Sequence, residues 1–118
     1  MLPPVVRDLG FRPLPGVFEE MQAFTAERTE DTRDEVWFVE HAPVYTLGMR
    51  ADRTHLLAPG NIPVVETDRG GQVTYHGPGQ LVAYVPLDLR RIAFTARSLV
   101  QALENAVIDT MAGYGVRV

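Results

Sequence analysis

The sequence is densest in glycine at Arg69-Gly-Gly-Gln-Val-Thr-Tyr-His-Gly-Pro-Gly-Gln80, which carries four glycines, one proline and one histidine in twelve residues. Gly70 and Gly71 remove two side chains in succession, so the backbone can adopt unusual φ angles and a ligand can lie against it. Consecutive N–H groups in such a stretch can hold a carbonyl, carboxylate or phosphate oxygen. Arg69 adds a permanent positive charge, and His76 can exchange a proton near neutral pH. The segment is therefore a candidate ligand-binding loop.

A purely structural interpretation fits the same spacing. The Gly70-Gly71 pair can be a β-bulge, and Gly77-Pro78-Gly79 can be a hairpin turn capped by His76. Pro78 presets φ at the second turn position and Gly79 supplies a positive φ at the third, which is the chemistry of a type II turn. The spacing fits neither a phosphate-binding P-loop nor a dinucleotide fingerprint. From the residues alone, both interpretations stay open.

Hydrophobic patterning on either side of this segment predicts a mixture of helices and strands. Leu99, Leu103 and Val107 recur at helical spacing, so we expect them to form one packed face of a helix that begins at Thr95 or Ser98. The apolar run 81–85 has no polar face, so we expect it to be buried on both sides. The predicted helices are 17–28 and 95–112, and the predicted strands are 5–9, 36–40, 44–47, 63–66, 72–75 and 80–87.

The last residues, Gly113-Tyr-Gly-Val-Arg-Val118, alternate between apolar and polar types as a strand does. Nothing follows them in the sequence that would pair with such a strand. The pattern therefore predicts that the chain is the first part of a longer domain.

Composition bounds the chemistry available to this chain. Its 118 residues, 46% of them apolar, are enough for one folded domain or a large piece of one. The formal charge of −4 argues against non-specific nucleic-acid binding. There is no cysteine, and all 11 basic residues are arginine, so the chain supplies neither a thiol nor a lysine amine. The three histidines lack metal-ligand spacing, and we therefore assign no metal.

The N-terminus predicts a cytoplasmic protein. Met1-Leu-Pro-Pro-Val-Val-Arg-Asp8 lacks the basic start and long apolar run of a secretory signal. No apolar stretch approaches the roughly 20 residues that span a bilayer. We therefore expect no membrane association.

The glycine-rich segment resembles the signature of the lipoyl(octanoyl) transferases. The resemblance runs from Arg69 to Gln80 and continues through Leu81-Val-Ala-Tyr84. An upstream stretch, Glu40-His-Ala-Pro-Val-Tyr-Thr-Leu-Gly48, is similar to the second characteristic stretch of that family. A match of this length and composition is specific, in contrast to a short glycine motif.

The resemblance implies both a fold and a reaction. The fold is α+β, a mixed and largely antiparallel sheet flanked by helices, as in the biotin and lipoate protein ligases. Residues 1–118 would be the truncated, N-terminal part of that single catalytic domain. The enzymes transfer octanoyl from octanoyl-acyl carrier protein to a lysine on lipoyl domains of 2-oxoacid dehydrogenase complexes or on the glycine-cleavage H protein. No cofactor is implied.

The same resemblance implies a set of residues that line the acyl-substrate pocket. Gly70 and Gly71 would let the chain lie close to the acyl group, Val73 and Tyr75 would offer apolar surface, and Thr74 and His76 would make polar contacts near the thioester carbonyl. The implied substrate-binding residues are Arg69, Gly70, Gly71, Gln72, Val73, Thr74, Tyr75 and His76.

The chain departs from the family in its reactive groups. Family members use a cysteine that takes the acyl group as a thioester and a lysine that lowers the pKa of that thiol. Neither residue type occurs in this chain, so no catalytic residue is assigned and we expect the 118 residues alone to be inactive. Two alternatives stay open: a non-catalytic module that binds an acyl chain or carrier protein, and a ligase that activates lipoate or biotin as an adenylate.

Overall fold

A computed structural model describes residues 2–49, 60–68, 71–92 and 94–118. The chain forms two compact units, residues 1–86 and residues 87–118. Within the described residues, the first unit contains one helix and six strands, and the second contains one helix. The elements in chain order are β1 (Val5–Phe11), α1 (Leu14–Glu27), β2 (Glu35–Glu40), β3 (Val44–Leu47), β4 (Val64–Glu66), β5 (Val73–His76), β6 (Val82–Tyr84) and α2 (Ala96–Gly113).

Two three-stranded sheets make up the first unit. One has the order β1-β2-β6, and the other has the order β4-β3-β5. Strands β1 and β2 run parallel because α1 connects them, whereas β6 is antiparallel to β2. In the second sheet, β3 is parallel to β4 and antiparallel to β5. Each sheet is mixed, which agrees with the expected α+β class.

The connection between β5 and β6 is not a hairpin. Strand β5 pairs with β3 and β6 pairs with β2, so the intervening segment carries the chain from one sheet to the other. The predicted strand 80–87 shortens to Val82–Tyr84, and Leu81 is 74% exposed. The expectation that 81–85 is buried on both faces is therefore wrong. A strand at a sheet edge has one neighbour and needs no second apolar face.

Helix α1 begins three residues earlier than its apolar spacing predicts. Pro13 is the N-cap residue and Pro15 lies in the first turn. The first N–H groups of a helix have no partner within it, so proline is tolerated there and does not delay the helix. The buried face of α1 contributes Val17 to a core that also contains Trp37 and Val39.

An ion-pair network ties β1 to α1. The Glu20 carboxylate accepts hydrogen bonds from Arg12 Nη1 at 2.8 Å and from Arg7 Nη2 at 3.0 Å. These two guanidinium groups, Arg12 foremost, lower the pKa of Glu20 below its ordinary value. The carboxylate is about one third exposed, so solvent weakens both pairs.

Glu20→Gln should lower the free energy of unfolding at neutral pH by about 1 kcal/mol or less. Because the pKa of Glu20 is lower in the folded protein, its stabilisation is present above the ordinary pKa of glutamate and is lost as the pH falls through the folded-state value. Urea titrations at neutral and acid pH measure this. The neighbouring Glu19→Gln is the control. An equal difference between Glu20→Gln and wild type at both pH values contradicts the assignment.

The second unit differs from expectation in its helix face and its end. Thr95 is the N-cap of α2, as predicted, and forms a capping box with Ser98. No residue of α2 is buried, so the expectation that its apolar face is packed is wrong for this chain. One helix cannot cover its own apolar face. Residues 116–118 form no strand in the described part of the chain, because no neighbouring strand pairs with them there.

Candidate functional site

The predicted pocket residues 73–76 form β5, and their side chains alternate between its two faces. In the ladder with β3, Tyr75 lies opposite Tyr45 and Val73 opposite Leu47 on one face. Thr74 and His76 point to the other face. The apolar and polar pairs named in the sequence are therefore separated by the strand itself. Because β5 is an edge strand, a ligand lying along its edge can reach both faces.

The apolar face presents an aromatic pair. The rings of Tyr45 and Tyr75 meet edge to face with centroids 5.5 Å apart, and Tyr75 is 42% exposed. The far end of the Tyr75 ring lies over Gly77. A Cβ at position 77 would stand 2.3 Å from Tyr75 Oη, closer than any van der Waals contact. Glycine at 77 is therefore required for this position of the Tyr75 ring.

The polar face brings His76 against buried side chains. His76 Nε2 lies 3.2 Å from Thr46 Oγ1, and Thr46 is almost fully buried. The ring of His41 meets the ring of His76 nearly perpendicularly, with centroids 6.3 Å apart. The site around His76 is therefore built by β3, β5 and the junction between β2 and β3.

His41 is fully buried and is bonded at both ring nitrogens. Nδ1 lies 2.7 Å from the Arg12 carbonyl oxygen, which can only accept, so Nδ1 carries a proton. In the neutral ring Nε2 is then an acceptor, and the Tyr84 hydroxyl at 2.9 Å donates to it. Burial raises the pKa of the Tyr84 hydroxyl, which keeps this donor protonated.

The turn after His76 has the geometry that the sequence predicts. The Gln80 N–H donates to the Gly77 carbonyl at 3.2 Å, and Gly79 has φ +90° in the third turn position. A positive φ at that position defines type II and favours glycine. The Gly79 N–H donates a hydrogen bond to the Glu40 carboxylate. Glu40, which directly precedes His41, therefore holds the turn that follows His76.

The remaining predicted pocket residues precede β5. Gly71 has φ +91°, which supports the expectation of an unusual backbone angle there. The Gln72 carbonyl accepts a hydrogen bond from the Gly48 N–H at 3.3 Å. Arg69 and Gly70 lie outside the described residues, so their predicted contacts stay predictions.

Sequence reasoning missed Glu40, His41 and Tyr84 as members of this site. The spacing of His41 from the other histidines bears only on metal binding, and no group of three or more acidic or histidine side chains in the described part of the chain could hold a metal. The signal that could have found them is their position in the two stretches that carry the family resemblance. Both stretches meet at His76.

No helix in the described residues is long and apolar enough to cross a membrane.

The chain is similar to known proteins over nearly all of its length. Octanoyltransferase of Aeromonas hydrophila is 60% identical over 112 residues, which cover 95% of this chain and 48% of that protein. Octanoyltransferase of Pseudomonas entomophila is 56% identical over 112 residues, which cover 95% of this chain and 52% of that protein. The chain therefore spans about half the length of the curated relatives it matches.

The fold has a counterpart among solved structures. Protein Ta0514 of T. acidophilum, which is proposed to be a lipoate protein ligase, superposes with a TM-score of 0.76 at 14% identity and covers 98% of this chain and 50% of its own. At that identity the likeness shows the fold alone. The family model of the lipoyl protein ligase A/B catalytic domain matches residues 18–118. Since that match covers most of the sequence, the chain belongs to the family of lipoyl protein ligase A/B catalytic domains.

Proposed function

We propose that the whole protein, meaning this chain with whatever natural sequence continues it, transfers octanoyl from octanoyl-acyl carrier protein to a lysine of a lipoyl domain. The acceptors are the lipoyl domains of 2-oxoacid dehydrogenase complexes and the glycine-cleavage H protein, and the reaction takes place in the cytoplasm. The observation that carries the proposal is the identity of 56–60% to proteins named octanoyltransferase over 95% of the chain.

In this proposal residues 1–118 are the N-terminal part of one catalytic domain and supply its acyl pocket. The pocket residues are Arg69 to His76. The edge position of β5 and the positive φ of Gly71 support this role, because both leave backbone accessible to a ligand. Val73 and Tyr75 offer apolar surface to the acyl chain on one side of the strand. Thr74 and His76 offer polar groups to the thioester carbonyl on the other.

The reactive groups belong to sequence beyond this chain. A thiolate attacks the octanoyl carbonyl and the carrier's thiol leaves, so that the acyl group rests on the enzyme as a thioester. The amine of the acceptor lysine then attacks the same carbonyl, the thiolate leaves with the electron pair of the broken bond, and the proton lost by the amine returns it to the thiol. The sequence of this chain contains no cysteine or lysine. We therefore expect the 118 residues alone to be inactive in octanoyl transfer.

The absence of cysteine and lysine also favours a second function, that of a binding module for an acyl chain or its carrier protein. Both functions predict saturable binding of octanoyl-carrier protein to residues 1–118. They differ in the whole protein, which forms a thioester only in the first. Adenylate-forming ligation is a third candidate, because the matching family model is that of the lipoyl protein ligase A/B catalytic domain. Binding of ATP, measured by calorimetry, would favour that ligase.

The test is an octanoyl-transfer assay with the purified whole protein and with residues 1–118, each given octanoyl-carrier protein and a lipoyl domain. We expect transfer by the whole protein and none by the 118 residues, which should still bind the octanoyl carrier more tightly than the unacylated carrier. His76→Ala should weaken that preference, and Tyr114→Ala, an 81% exposed site in the second unit, is the control. Transfer by residues 1–118 at the rate of an intact relative contradicts the proposal.

A further inference from the structure

His76 contacts residues outside its own strand through its side chain. It is the last residue of β5, which has four residues and lies at a sheet edge. Ladder bonds to β3 hold its backbone, but the direction of an imidazole at a strand end depends on the side chains around it. Thr46 and His41 are among those side chains.

We propose that His41 and Tyr84 are positioning residues that fix the orientation of the His76 imidazole during octanoyl transfer. This inference rests on the proposed function, in which His76 contacts the thioester carbonyl. It assigns no contact with substrate to His41 or Tyr84. Their effect on the reaction passes through His76.

The first step of the argument is that the His41 ring cannot rotate or flip. Nδ1–H donates to the Arg12 carbonyl and Nε2 accepts from the Tyr84 hydroxyl, so each ring nitrogen has the one partner that its proton state allows. A flip would replace Nδ1 by the Cδ2–H group at the Arg12 carbonyl and Nε2 by the Cε1–H group at the Tyr84 hydroxyl, so both hydrogen bonds would be lost. Because the His41 ring has no exposed surface, water cannot replace either hydrogen bond. The His41 ring is therefore a fixed surface.

Both anchors of His41 are held by the other sheet, Tyr84 as part of it and Arg12 directly after β1. Tyr84 lies in β6 opposite Trp37, which is fully buried. The Arg12 N–H donates to the Glu40 carbonyl at 3.0 Å, just beyond the β1–β2 ladder. The His41 ring is thus held in place by the β1-β2-β6 sheet, and it contacts His76, which lies in the β4-β3-β5 sheet.

His76 is held in two ways, by a contact to its ring and by a hydrogen bond to the turn that follows it. Its ring meets His41, and the turn that follows it is bonded to Glu40 through the Gly79 N–H. Glu40, the last residue of β2, therefore locates the exit of β5, and His41, which follows it, contacts the His76 side chain. A displacement of about 1 Å in a group that contacts the reacting centre can cost about 100-fold in rate, so this fixation is expected to affect turnover.

The experiment uses Tyr84→Phe in the whole protein, because this change keeps the buried ring and removes only the donor to His41. Long-range proton–nitrogen NMR spectra report the imidazole nitrogen shifts of His41 and His76. We expect the His41 Nε2 signal to move on loss of its hydrogen bond and the His76 signals to move with it. Tyr114→Phe, which removes a hydroxyl from an 81% exposed side chain, should leave both unchanged.

The kinetic measurement is kcat for octanoyl transfer, with circular dichroism confirming an equal folded fraction. Tyr84→Phe should lower kcat by up to about 100-fold, the cost of a displacement of about 1 Å in a group that contacts the reacting centre. Unchanged His76 signals, or an unchanged kcat in an active protein, would overturn the positioning role. A wild-type protein without octanoyl transfer overturns the proposed function instead, and the NMR spectra then decide the positioning of His76 alone.

Discussion

Trp37→Ala is expected to remove a large share of the stability of the first unit. Trp37 has no exposed surface, lies in the core with Val17 and Val39, and meets the ring of Phe24 edge to face at 5.8 Å. Truncating a fully buried tryptophan costs about 3–5 kcal/mol, from lost burial and from the cavity left behind. That loss is a large share of the roughly 5–15 kcal/mol that holds a domain folded.

Urea denaturation followed by far-ultraviolet circular dichroism measures the loss, since Trp37 is the sole tryptophan of the sequence and its fluorescence disappears with it. Leu81→Ala is the matched control, because Leu81 is 74% exposed beside β6. Such a surface change should stay within about 0.5 kcal/mol. Equal effects of the two substitutions would show that Trp37 is not in a core.

His41→Leu is expected to be comparably destabilising for a different reason. Leucine fills a similar space but leaves the Arg12 carbonyl and the Tyr84 hydroxyl, both bonded to His41, without that partner. Each buried polar group left unsatisfied costs about 1–3 kcal/mol. Together they should lower the free energy of unfolding by about 2–6 kcal/mol, measured by the same denaturation.

A double-mutant cycle tests the cause of that loss. In the wild type, Tyr84→Phe removes the donor to His41 Nε2 and should destabilise the protein. In the His41→Leu background the same change removes an orphaned hydroxyl and should stabilise it. The difference between the effects of Tyr84→Phe on the free energy of unfolding in the two backgrounds measures the coupling between the two side chains. The same sign in both backgrounds contradicts the hydrogen bond between them.

Local features of the fold were predictable because neighbouring residues determine them. The type II turn follows from Pro78 and Gly79, whose allowed φ values suit its second and third positions. The N-cap at Thr95 follows from a hydroxyl that accepts the Ser98 N–H. The strand 44–47 is predicted with its observed bounds because it combines β-branched residues with an aromatic residue and a leucine, and Gly48 ends the run.

Pairing between distant strands was not predictable in the same way. Residues 72–75 and 80–87 are separated by a turn motif that suits a hairpin, yet β5 and β6 take partners in different sheets. The choice depends on where β2 and β3 lie, and no local pattern contains that information. The α2 face shows the same limit, because helical spacing identifies an apolar face but not what covers it.

The candidate site was predictable in part. The family resemblance identifies Arg69 to His76 as pocket residues. The alternation of side chains along β5 places the apolar and the polar ones on opposite faces of the strand. The contact between His41 and His76 joins residues 35 positions apart. Only the three-dimensional structure shows that the two stretches of family resemblance meet there.

The most direct measurement of the central claim is the intact mass of the whole protein after exposure to octanoyl-carrier protein, followed by addition of a lipoyl domain. The account predicts one octanoyl adduct on a cysteine beyond Val118 that disappears as the lipoyl domain gains the same mass, with no adduct on residues 1–118 alone. An adduct within residues 1–118 that passes to the lipoyl domain, or a whole protein that never takes up octanoyl, would contradict it.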